Sequence, residues 1–106
     1  MTRFASLLLM LLILACACST PDPGPASVRG VLLDVRASSI SQVDSLRLRS
    51  DDGREWDFVG GPQLAADPEG SPGHLRQHMA RVDEVMIFYE ETSDGLVAQK
   101  VQDALQ

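Results

Sequence analysis

The sequence predicts a small, mainly β domain of the α+β class, with five strands and one short helix inserted between the third and the fourth. Three observations carry this reading. Residues 45–50 and 55–59 alternate apolar and polar side chains on either side of an Asp-Asp-Gly turn. Residues 85–89 and 96–101 form a second apolar pair about Thr92-Ser-Asp-Gly95, and Ser71-Pro72 opens a helical spacing of apolar residues. Successive side chains of a strand point to opposite faces, so alternation marks a half-buried strand, whereas recurrence every three or four residues marks a helix face.

Taken in order, Val28-Arg-Gly-Val-Leu-Leu-Asp-Val35 is rich in β-branched and apolar residues and reads as the first strand, with Gly30 a candidate bend. Residues 37–44 fit two patterns: Ile40 and Val43 suit a helical turn, but the serines around them favour a loop. In the hairpin that follows, Leu46, Leu48, Trp56 and Phe58 should share the interior, with Arg47, Arg49, Glu55 and Asp57 facing water. Gly60-Gly61-Pro62 ends the third strand, and residues 60–70 read as a long irregular connection, a length that is usually functional or mobile. Ser71 is a candidate N-cap and Pro72 the first residue of a helix reaching about Arg81. Leu75, Met79 and Val82 would form its apolar stripe, with His78 at the margin and His74 and Arg81 farther round.

This order of elements, with a glycine in the first strand, resembles the OB-fold. The resemblance implies a five-stranded Greek-key barrel with one end plugged by the helix, and closure would remove exposed edges from a small domain. It rests on element order rather than on residue motifs. An open antiparallel sheet with one packed helix is the competing architecture.

The N-terminus speaks of location. Arg3 precedes an apolar run over residues 4–15, too short for an ordinary span of about 20 apolar residues and of the form of an export signal. Ile13-Leu14-Ala15-Cys16 resembles the lipobox of bacterial lipoproteins. The resemblance implies that residues 1–15 are removed and that Cys16 carries a diacylglyceryl anchor, with Cys18 the alternative site. Residues 16–27, rich in Pro and Gly, would then tether a domain spanning 28–106 to the membrane. Such a linker extends at about 3.1 Å per residue. No cysteine follows Cys18, so the domain has no internal disulfide.

The net charge of −6 opposes nucleic acid and anionic headgroups as partners, since both require basic neutralisation. His74 and His78 are the only histidines and stand four apart on the proposed helix, a spacing that lets both imidazoles approach one metal ion. Leu75 occupies the place of the glutamate in H-E-x-x-H, so a hydrolytic zinc helix is not expected, and further ligands would have to come from Asp67, Glu69 or a partner. Asp51-Asp52, Asp83-Glu84 and Glu90-Glu91 read as solvated turn and edge residues, without the spaced oxygens of a calcium loop. No G-x-S-x-G elbow is present, and Ser71 is better explained as a cap than as a nucleophile. Core packing accounts for Trp56, Phe58 and one of Phe88 and Tyr89 more simply than base stacking does.

The expectation is therefore not an enzyme. It is an extracytoplasmic, lipid-anchored lipoprotein of the cell envelope that carries no cofactor and binds or scaffolds another envelope component. The alternative is a protein that handles a metal or haem through His74 and His78.

Overall fold

The computed structural model describes residues 26–104. The signal, Cys16, Cys18 and nearly all of the tether lie outside the described residues. The elements are β1 (Ala26–Ala37), β2 (Val43–Ser50), β3 (Glu55–Gly60), α1 (Pro62–Ala66), a 3-10 turn (Pro68–Gly70), α2 (Pro72–Arg81), β4 (Glu84–Thr92) and β5 (Gly95–Asp103). The five strands close into a barrel in the order β1-β2-β3-β5-β4, with β4 returning to β1. Every pairing is antiparallel except β3 with β5, which run parallel for only two residue pairs, Val59 with Val97 and Gly60 with Ala98. This is a small OB-like barrel, and closure rules out the open sheet.

Gly30 makes the closure possible. It pairs with Ser50 of β2 on one side and Val85 of β4 on the other. A Cβ at this position would run into the carbonyl oxygen of Arg49, so only glycine allows β1 to serve both neighbours at such close approach. A register shift between Leu32 and Asp34 then lets Leu32 and Val35, three apart, both face the core.

The β2–β3 hairpin pairs Leu46 with Phe58 and Leu48 with Trp56. Leu46, Leu48 and Phe58 are fully buried, while Arg47 and Asp57 form an outward ion pair at 3.0 Å. Trp56 departs from the expected core anchor. It is half-buried at the rim, where its indole Nε1 donates to Ser50 Oγ at 3.0 Å and the Arg54 guanidinium stands 4.1 Å from the ring centre. Its ring lies parallel to that of Phe58 at 6.3 Å, and Tyr89 closes the cluster at 5.9 Å from Trp56 and 5.4 Å from Phe58. A polar N–H that needs a partner keeps such a ring near the surface.

Two further departures have local causes. The connection after β3 contains α1, which starts on Pro62 at its first turn and buries Leu64. The proline fixes φ where a helix can begin, so one apolar residue is enough to dock a short helix. Val82 is not part of the apolar stripe of α2. It is the C-cap, in the left-handed region at φ 58° and 69% exposed, because the chain must reverse there to enter β4. Leu75 is fully buried as the plug of the barrel, Met79 packs partly against the core, and Ser71 caps the helix by accepting from the His74 N–H. Residues 38–42 form the loop read from the serines, with Ile40 exposed and Val43 buried at the start of β2.

Candidate functional site

Two places on the barrel hold chemistry. The first is a groove of about 450 Å³ on the outer face of β1, β2 and β3, overhung by the β4–β5 turn. Asp34 and Arg36 at 3.0 Å, with Arg47 and Asp57, place two ion pairs along it, while Val59 and Leu96 add apolar surface. Asp94 brings the acids to three against two arginines, so the groove has mixed charge and no basic excess for a polyanion. Because β3 meets β5 over only two residue pairs, the far edge of β3 from Glu55 to Phe58 has no strand partner there among the described residues.

The second place is the end of α2. Helical spacing sets His74 one turn before His78, and their Nε2 atoms stand 3.1 Å apart with the rings edge to face. The Oδ1 of Asp103, at the end of β5, lies 2.7 Å from the same His78 Nε2. The three ligand atoms fall within 4.8 Å of one another, so these residues could hold a metal ion. The other nitrogen of His78, Nδ1, faces Asp83 Oδ2 at 3.4 Å. The His78 side chain is only 12% exposed, whereas Asp103 and Asp83 remain half open to solvent.

The carboxylates that sequence proximity suggests lie outside the histidine cluster. Asp67 accepts from the Glu69 N–H at 3.1 Å and caps the 3-10 turn, and neither residue belongs to the histidine cluster. Asp52 closes the β2–β3 turn by accepting from Ser50 Oγ and from the Arg54 N–H, bonds that hold its carboxyl below the usual carboxylate range. Glu90 accepts from Gln99 Nε2 at 2.7 Å. A hydrogen bond to Asp51, with lesser contributions from burial and from the charge of Asp51, pushes the Glu84 carboxyl up. Asp83 does approach His78, and Asp103 was not singled out from the sequence. The signal that could have found it is its place at the end of the last strand, which barrel closure returns to the base of the helix.

Comparisons with protein-family models, with curated proteins and with solved structures gave no match.

Proposed function

We propose that the chain is a lipid-anchored protein of the bacterial cell envelope whose barrel is a non-catalytic binding module, receiving an extended segment of another envelope protein in the groove. The observation that carries the binding surface is the groove of about 450 Å³ beside the edge of β3 that has no strand partner among the described residues. A free strand edge offers backbone donors and acceptors to an incoming extended peptide, and flanking side-chain pockets then supply selectivity. Mixed charge along the groove suits a polypeptide better than a polyanion. The lipobox-like Ile13-Leu14-Ala15-Cys16 and the Pro-rich stretch after it support the anchor. Acyl chains at Cys16 contribute about 0.8 kcal/mol per buried methylene and would hold the module at the membrane face.

A photoreactive residue placed at Val59, which lines the groove and is 44% exposed, tests the reading in intact cells. Ile40, 94% exposed and outside the groove, is the control. A discrete adduct from position 59, absent from position 40 and lost when Cys16→Ala removes the anchor, is the expected result. The same adducts from both positions, or none from position 59, would contradict it.

A further inference from the structure

We infer that His74, His78 and Asp103 form a binding site for a divalent late first-row metal ion, of which Zn²⁺ is the chemical type. The site is separate from the groove: Leu96 in the groove and Asp103 at the site stand near opposite ends of β5, roughly 20 Å apart at a strand rise of about 3.3 Å per residue.

The hydrogen-bond inventory supplies the first argument. His78 Nε2 faces two partners at once, His74 Nε2 at 3.1 Å and Asp103 Oδ1 at 2.7 Å. A ring nitrogen carries either one proton or one lone pair. If His78 Nε2 donates to Asp103, His74 can only share that same proton, and if His78 Nε2 accepts from His74, it has no proton for the carboxylate. A cation at the point where the three groups converge satisfies all of them, because each then offers an electron pair. With bond lengths of about 2.0–2.2 Å, ligand atoms on a tetrahedral zinc are about 3.4 Å apart. The His74–His78 separation of 3.1 Å is near that edge and the His78–Asp103 separation of 2.7 Å is shorter, so side-chain rotation must open the latter for all three atoms to reach it.

The surroundings are those of a ligand set. Nδ1 of His78 faces Asp83, and a carboxylate there holds the proton on Nδ1 and leaves the Nε2 lone pair for the metal. Asp83 reaches that position because Val82 adopts φ 58°, which bends the chain back so that the Asp83 N–H bonds to the His78 carbonyl at 3.0 Å. A β-branched residue in the left-handed region is strained, and such strain concentrates at functional positions. Asp103 is set by the Ala104 N–H bonding to the Glu84 carbonyl at 3.1 Å. Two imidazoles and one carboxylate suit Zn²⁺, Cu²⁺ or Ni²⁺ and discriminate against Mg²⁺ and Ca²⁺, which take oxygen ligands. Three protein ligands leave a coordination position on the half-exposed Asp103 side for water or a ligand from a partner.

Calorimetric titration of the full-length protein in detergent with zinc chloride, in the presence of excess Mg²⁺, tests this. The expected result is one zinc per chain. Affinity should fall at least tenfold in His74→Gln and in Asp103→Asn, and about tenfold in Asp83→Asn, with no change in Gln77→Ala on the neighbouring exposed surface. His78→Asn should abolish binding. If burial of His78 makes that variant fail to fold, His74→Gln and Asp103→Asn, whose side chains are partly exposed, decide the matter. No zinc uptake by the wild type, undiminished affinity in both of those variants, or binding that disappears only in Cys18→Ser would overturn the proposal.

Discussion

The Oδ1 atom of Asp103 lies 2.7 Å from the Nε2 atom of His78, although the whole β4–β5 hairpin separates them in the chain. Barrel closure makes the contact. β4 leaves the end of α2, β5 returns alongside it, and the last residue of β5 arrives beside the helix that plugs the barrel. The contact depends on the sharp reversal at Val82, where the left-handed backbone is occupied by a β-branched residue.

Val82→Gly should therefore stabilise the protein. Left-handed backbone costs a non-glycine residue roughly 1–2 kcal/mol, and the entropy of glycine returns about half of that. Little burial is lost, since the side chain is 69% exposed. Urea denaturation should show a gain of about 0.5–1 kcal/mol. A loss would mean that the valine side chain supports the reversal.

Gly30→Ala should do the opposite, because the added methyl meets the Arg49 carbonyl at the point where β1 changes partners. Backbone cannot yield as a flexible side chain can, so the expected cost is about 3 kcal/mol or more. Thermal melts would reveal it. A melting temperature equal to wild type would contradict the account of how the barrel closes.

Phe58→Ala should cost roughly 3–5 kcal/mol, as expected for a fully buried aromatic. Trp56→Ala should cost about half as much, because its ring is half-buried and capped by Arg54. Denaturation of the two variants side by side checks the order. A larger loss at Trp56 would restore it as the core anchor that strand alternation alone suggests.

The carboxyl pair of Asp51 and Glu84 makes stability depend on pH. The Glu84 and Asp51 carboxyls stand close enough for one to bond to the other. The Glu84 pKa is raised above its ordinary value of 4.5, chiefly by the hydrogen bond to Asp51. A carboxyl whose pKa is raised by folding stabilises the fold while protonated. Its contribution is complete below pH 4.5 and is lost as pH rises through the raised value. Glu84→Gln keeps a donor for Asp51 without the charge, so it should melt higher than wild type at pH 7, with the difference vanishing below about pH 4. Equal melting temperatures at pH 7 would refute the pairing.

Local signals were legible and closure-dependent ones were not. Leu46, Leu48 and Phe58 face the core as their alternation requires, and Ser71 caps the helix that its pairing with Pro72 announces. Trp56 obeyed the alternation but sits at the rim, because periodicity gives the face and not the depth. Val82 matched the helical spacing of Leu75 and Met79, yet the need to reverse into β4 took it out of the helix. For the histidines, chain proximity pointed to Asp67 and Glu69, whereas closure delivered Asp103. No period in the sequence encodes the distance between a helix and the end of a strand two elements later.

X-ray absorption at the zinc edge of the full-length protein loaded with one equivalent of Zn²⁺ tests most directly whether α2 and β5 converge on one cation. The account predicts a shell of nitrogen and oxygen only, at about 2.0–2.2 Å, with the outer scattering of two imidazoles, losing one imidazole in His74→Gln. Sulfur at about 2.3 Å, or a shell without imidazole, would contradict it and assign the ion to the cysteines or to adventitious carboxylates.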